Sequence, residues 1–302
     1  MALKHRPFLF VGTAKAGTTS IFNYLLQHPR LKIPKKETFY FLRDVYSDIH
    51  LAYPAQRDPA TLILEQEAYD ELYEHIEDEI AGEIGTGYLF HHIHAIPRIK
   101  EQFGDEVNIL IILRNPVDRA FSSYNHFVKD MHEPLTFEES LAAERSRAEK
   151  GWDFMWQHKA LGLYSKQVEA YQNTFSNVEV LFYEDLKKDP NGLMNRIFEF
   201  IGVAPLKDLD TGKQFNPSGQ PRSRTLQKLL IHDNPVKRFI QPIVRALMSD
   251  DRRERMRKEL KSRNLKGYEQ MSEATRKELK EFYRDDIKAL SKIIERDLGF
   301  WL

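Results

Sequence analysis

The chain of 302 residues contains no cysteine. That absence excludes disulfides, thiolate zinc sites and a cysteine nucleophile, and leaves any chemistry to Lys, Arg, His, Ser, Thr and carboxylates. Long apolar runs are missing as well. The longest aliphatic stretch, Ile109-Leu110-Ile111-Ile112-Leu113, is far short of the roughly 20 residues that cross a bilayer, so no transmembrane helix is expected. The apolar stretch 8–11 stops at Gly12 with no h-region and no small-residue cleavage site, which argues against a secretory signal and for a cytoplasmic location. Net charge is absent, with 45 Lys+Arg against 45 Asp+Glu, so bulk electrostatics point to no nucleic-acid partner. What is present is a core: 41% hydrophobic and 12% aromatic residues exclude a disordered or fibrous chain. No repeat, low-complexity tract or clear linker interrupts it, and residues 1–302 are read as one domain.

Charge of one sign is missing locally. Residues 1–36 hold seven basic side chains (Lys4, Arg6, Lys15, Arg30, Lys32, Lys35, Lys36) and no acid, a start suited to an anion. Residues 65–83 do the reverse, with nine acids and no Lys or Arg, and read as a solvated helix face. Residues 221–266 carry fourteen basic and five acidic residues, which suits a second anionic partner or a polar helix face.

Short apolar runs at 8–11, 109–113 and 178–182, with 81–85 as a fourth, have the length and composition of buried strands. Helical patterns lie between them at 18–28, 60–79, 117–130, 136–149, 160–175 and 190–201. A last amphipathic helix runs from Ser272 toward Gly299, with Trp301 as an anchor. This alternation predicts an α/β, P-loop-like three-layer fold, a central parallel sheet flanked by helices. The proline- and glycine-bearing stretch 203–224 is a long irregular segment of the functional kind.

Two loops carry the chemistry. The segment Gly12-Thr-Ala-Lys15-Ala16-Gly17-Thr18-Thr19-Ser20 follows a strand and opens a helix, so its amides form an anion cradle, with Lys15 adding charge and the threonines adding donors. A Walker A loop needs Lys where Thr18 stands, and a magnesium-binding strand would end in Asp where Arg114 stands. Arg114 itself is delivered by the central strand to the carboxyl edge of the sheet, where ligands of such folds bind. Ser122 lies about two helical turns further on, placed to bring its hydroxyl beside the guanidinium. Pairing of Arg114 with Asp118 is the competing role.

Together, Lys15-Ala-Gly-Thr-Thr19 and Arg114-Asn-Pro…Ser122 resemble the sulfotransferases that use 3′-phosphoadenosine 5′-phosphosulfate (PAPS). In that family the first motif holds the 5′-phosphosulfate and the second the 3′-phosphate. The resemblance extends to Val180-Leu-Phe-Tyr183 and Ser218-Gly-Gln-Pro-Arg222-Ser-Arg224, and implies that Tyr183, Arg222 and Arg224 help to hold the nucleotide. The cytosolic branch has Trp after Thr-Thr and a Lys-Thr-His triplet; this chain has Ser20 and no such triplet. Pro34-Lys-Lys-Glu37-Thr-Phe-Tyr-Phe and Gly82-Glu-Ile-Gly-Thr-Gly-Tyr88 are similar instead to the carbohydrate-directed, heparan-sulfate-type branch and its bacterial relatives. There the base is a glutamate, which falls on Glu37. The aromatic that stacks on adenine is not identified by this likeness.

The resemblance implies PAPS as co-substrate and no metal. Lys15 would stabilise the leaving oxygen and Glu37 would take the acceptor proton. A salt bridge to Lys35 or Lys36 is the competing role for Glu37. The histidines His91, His92 and His94 lack a carboxylate at metal-site spacing and are read as a partly exposed loop. His126 faces either the site or solvent, and Trp152 and Trp156 are placed on one helix face as core or pocket wall. The expected partner is a hydroxyl-bearing acceptor, a carbohydrate first and a lipid or small metabolite next. An atypical P-loop kinase or nucleoside triphosphatase, or a polyanion-binding module using 221–266, are the alternatives.

Overall fold

A computed structural model of the protein describes residues 5–48, 62–212, 220–221, 223, 265–266 and 270–302. The predicted strands form β1 (Phe8–Gly12), β3 (Ile80–Ile84), β4 (Asn108–Leu113) and β5 (Asn177–Phe182), joined by a two-residue edge strand, β2 (Leu31–Lys32). They make a five-stranded sheet in the order β2-β3-β1-β4-β5, parallel throughout. Every residue of β1, β3 and β4 is buried, because both faces of the sheet are covered. Alternate side chains enter opposite layers: Leu9, Val11, Ile109 and Ile111 join one core, while Phe8, Phe10, Leu110 and Ile112 join the other.

Helices close both layers. On one side α1 (Thr18–Leu25), α8 (Tyr183–Lys188) and α9 (Pro190–Ile201) bury Ile21, Leu186 and Ile197. On the other, α4 (His92–Phe103), α5 (Pro116–Lys129), α7 (Ser165–Thr174) and α10 (Glu273–Ile293) bury Ile99, Val117, Val168 and Ile287. Helix α6 (Phe137–Glu149) starts at a capping box, the Thr136 side chain accepting from Glu139 N and the Glu139 side chain from the Thr136 backbone. Ser272 caps α10 by accepting from Thr275 N at 3.1 Å. Short helices α2 (Arg43–Asp48) and α3 (Gln66–Glu71) lie between β2 and β3. Strands β6 (Gln220–Pro221) and β7 (Leu265–Lys266) pair antiparallel, and β6 lies beside α5.

The C-terminus anchors as expected. Trp301 is buried, its ring 5.7 Å from Phe182 and 6.3 Å from Tyr164, and its carbonyl accepts from Asn115 Nδ2 at 3.3 Å. The turn after Arg114 is thereby tied to the last residues of the chain.

Three expectations are corrected. The helix expected at 60–79 is confined within the described residues to Gln66–Glu71, because Tyr69 and Tyr73 turn inward toward Glu83 and the acid-rich remainder stays in turns. The partly exposed residues 92–94 are not a loop but the start of α4, with His91 as its N-cap, and three histidines and Pro97 masked the period of the helix. Trp152 and Trp156 share no helix: Trp156 sits in a 3-10 turn at Phe154–Trp156, stacked on Phe127 at 3.9 Å, and meets Trp152 edge-on at 5.0 Å.

Candidate active site

The loop between β1 and α1 needs Gly17 where it turns into the helix. Gly17 is the left-handed N-cap of α1, at φ 87°, and a Cβ there would meet Leu186 Cδ2 at 2.7 Å and Tyr183 Cδ2 at 3.0 Å. Helix α1 begins with no side-chain cap and no acid in its first turn. Its leading amides are therefore open to an anion, with no carboxylate of the first turn competing for them. Ala16 and Thr18 are buried, and Thr19 and Ser20 half-buried, along this turn.

Lys15 is half-buried in the loop at φ 72°. Burial first, then Lys129, then Arg114 push its pKa down to about 8. The clustered cations make that ammonium costly until an anion joins them. Arg114 donates from Nη1 to the Lys15 carbonyl at 3.0 Å, and its guanidinium lies 4.7 Å from the centroid of the Tyr183 ring. Asp118 does not take Arg114; it pairs with Arg276 at 3.0 Å. The structure thus brings together Lys15, Gly17, Arg114 and Tyr183 at the carboxyl edge of the sheet, on three separate β–α connections. Ser122 lies half-buried on α5, beyond the Asn115-capped first turn. Arg222 and Arg224 lie outside the described residues. The stretch 203–212 is docked on α1, Gln27 Oε1 accepting from Asp210 N at 2.9 Å and Tyr24 donating to the Thr211 carbonyl at 3.2 Å.

Glu37 stands beyond the end of β3. Its N–H donates to the Ile84 carbonyl at 2.8 Å, its φ is 60°, and Thr86 Oγ1 donates to Glu37 Oε1 at 3.1 Å. Lys36 Nζ lies 3.9 Å from the same oxygen, which realises the ion pair weighed from sequence, yet it also donates to Thr19 Oγ1 at 2.9 Å. Beneath this turn the buried Glu83 carboxylate accepts from Thr38, Tyr88 and Tyr69, the last at 2.7 Å. Thr38 adjoins Glu37, so the network pins a turn in which two non-glycine residues, Glu37 and Phe39, are left-handed.

Thr86 and Lys129 are the neighbours that sequence patterns missed, as is the contact of Lys36 with Thr19. The available signal was position: Lys36 precedes Glu37, and Thr86 sits in Gly85-Thr-Gly after a strand. His126 meets Asp130 at 3.5 Å on the outer turn of α5, and the His91 ring packs against Phe154 at 5.4 Å. Among the described residues no cluster of three His, Cys, Asp or Glu side chains has metal-site geometry, and no helix is long and apolar enough to cross a membrane.

The sulfotransferase domain family matches residues 6–291. The chain belongs to that family. Among its curated sulfotransferase relatives, heparan sulfate glucosamine 3-O-sulfotransferase 3A1 of Mus musculus is 28% identical over 209 residues, covering 68% of this chain and 47% of the relative. The bifunctional heparan sulfate N-deacetylase/N-sulfotransferase 4 of Mus musculus is 24% identical over 227 residues, 70% of this chain and 24% of that protein. The chain spans about half the length, or less, of these curated relatives. A solved sulfotransferase from Alicyclobacillus acidocaldarius covers 98% of both chains at 30% identity, with a TM-score of 0.72. The three-layer fold expected from the sequence is the one that this neighbour shares.

Proposed function

We propose that this sulfotransferase-family chain moves the sulfuryl group of PAPS to an acceptor hydroxyl, a carbohydrate hydroxyl first. The observation that carries the proposal is the meeting of the Lys15 loop, Arg114 and Glu37 at one edge of a parallel sheet, with Lys15 and Arg114 joined directly at 3.0 Å. An uncapped helix start and a lysine whose pKa is depressed among cations fit a phosphosulfate; the Arg114 guanidinium on Tyr183 fits a second phosphate.

In the proposed reaction the acceptor oxygen bonds to sulfur while the bond from sulfur to the 5′-phosphate oxygen breaks. Glu37 Oε accepts the hydroxyl proton, and the electron pair leaves onto the phosphate oxygen. The α1 amides and the Lys15 ammonium lower the energy of that developing charge. Thr86 keeps the Glu37 carboxylate turned toward the acceptor side. The curated heparan sulfate relatives support a carbohydrate acceptor, and the identity of the sugar belongs to the proposal. Ser122, Arg222 and Arg224 are assigned with Arg114 to the 3′-phosphate on the family's pattern. Cytoplasmic residence is likewise part of the proposal.

Thermal shift with 3′,5′-ADP, 5′-ADP and ATP with magnesium tests the donor assignment. A ligand at 100 times its Kd adds about 2.7 kcal/mol of stability, a shift of several degrees. A much larger shift for 3′,5′-ADP, followed by PAPS-dependent sulfation in an acceptor panel, is the expected outcome. Equal shifts, or a preference for ATP with magnesium, would return the chain to the nucleoside triphosphate class.

A further inference from the structure

Lys36 touches both halves of the site. Its side chain is 23% exposed, its Nζ lies over the Phe22 ring of α1 at 6.0 Å from the centroid, and its backbone bridges to Ile84 at the end of β3. An ammonium has three hydrogens and no lone pair, so its contact with Thr19 Oγ1 at 2.9 Å can only be a donation. A hydroxyl that accepts there keeps its own hydrogen for another acceptor. The hydrogen of Thr19 is thereby turned away from Lys36, available to an anion at the α1 N-terminus. On its other side Lys36 Nζ stands 3.9 Å from Glu37 Oε1, too far for a hydrogen bond but close enough for charge attraction to hold the carboxylate.

We infer that Lys36 is a positioning residue of the transfer, one ammonium that sets the Thr19 hydroxyl toward the donor and the Glu37 carboxylate toward the acceptor. The inference rests on the proposed sulfuryl transfer and deepens it. Donor loop and base lie on different connections of the sheet, and the Lys36 side chain contacts a residue of each. Displacement of the loop is carried through it to the base. Burial lowers the Lys36 pKa, and the Glu37 carboxylate offsets part of that shift.

The test compares Lys36→Met, Lys36→Arg and a Lys35→Met control in PAPS-dependent transfer and in 3′,5′-ADP binding. Misplacing reacting groups by about 1 Å costs about 10²-fold, so Lys36→Met should lose about that much kcat while Kd for 3′,5′-ADP rises by less than about tenfold. Lys36→Arg should recover most of the loss, and Lys35→Met should match the wild type. Unchanged kcat in a folded Lys36→Met variant, or an arginine no better than methionine, overturns the inference. Lys36→Gln replaces the methionine variant if that one fails to fold. A double-mutant cycle with Thr19→Val, read in nucleotide binding alone, separates the two proposals. Coupled losses support the Lys36–Thr19 contact and strictly additive losses overturn it, whether or not the wild type transfers sulfuryl groups. A wild type that binds 3′,5′-ADP but sulfates nothing overturns the proposed function instead.

Discussion

Arg114 Nη1 and the carbonyl oxygen of Lys15, 99 residues apart in sequence, meet at 3.0 Å. The contact makes the two anion-binding loops one object: the arginine that would hold the 3′-phosphate also braces the loop that would hold the phosphosulfate. Replacing Arg114 by Ala should weaken 3′,5′-ADP by about 10- to 100-fold, the range of one lost charged hydrogen bond, and weaken 5′-ADP less, through the lost brace on the Lys15 loop alone. Arg114→Lys should not restore the affinity, because an ammonium has neither the planar fork nor the stacking face that lies on Tyr183. Paired titrations by calorimetry decide it, and equal losses for both nucleotides would contradict the assignment.

Lys15, held down to about 8 by burial, Lys129 and Arg114, should give nucleotide binding a pH dependence. An anion bound beside it raises its pKa, so binding takes up protons above pH 8 and affinity falls by up to about tenfold per pH unit. In Lys15→Arg the slope should vanish over that range. Folding responds with the opposite sign: the folded pKa lies below the unfolded value of 10.5, so between about pH 8 and 10.5 the unfolded chain binds more protons and stability rises with pH. The wild type minus Lys15→Met difference in denaturant unfolding isolates that contribution.

Gly17→Ala places a Cβ against Leu186 and Tyr183 in a left-handed residue. The backbone cost alone is about 1–2 kcal/mol. The expected result is a thermal midpoint lowered by a few degrees together with weakened 3′,5′-ADP binding, since Tyr183 must move. A variant with unchanged midpoint and affinity would show that the close packing is not needed.

Glu83→Leu leaves the hydroxyls of Thr38, Tyr69 and Tyr88 without their shared acceptor. Orphaned buried groups cost about 1–3 kcal/mol each, so severe destabilisation is expected, measurable as a lowered urea midpoint. Glu83→Gln should be milder and should change the pH profile. Burial raises the Glu83 pKa above 4.5, so the folded state holds its proton longer and stability declines as pH rises through that window. The glutamine variant should lack this decline.

Much of the site was legible because it is local. A buried parallel strand reads as an unbroken apolar run, and Gly17-Thr-Thr after such a run marks a helix start whatever surrounds it. Arg114 was placed by the same logic, one residue past β4. Helix α4 was missed because His91, His92, His94 and Pro97 dilute its period while Ala95 and Ile99 carry the burial. The helix expected at 60–79 is short within the described residues because Tyr69 and Tyr73 are drawn toward Glu83 in the core.

The amino-acid sequence by itself determined the strand–loop–helix units, the cradle at 12–20, the arginine at the sheet edge and the family resemblance, since each depends on neighbours within a few positions. Only the tertiary structure decided which of these units meet. The parallel order β2-β3-β1-β4-β5 puts the connections after all five strands on one edge, so that Thr86 reaches Glu37, Lys36 reaches Thr19 and Arg114 reaches Lys15. Those contacts span 49, 17 and 99 residues, and no local preference encodes them. They exist because two apolar layers must be buried on opposite faces of one sheet, and that burial sets which loops become neighbours.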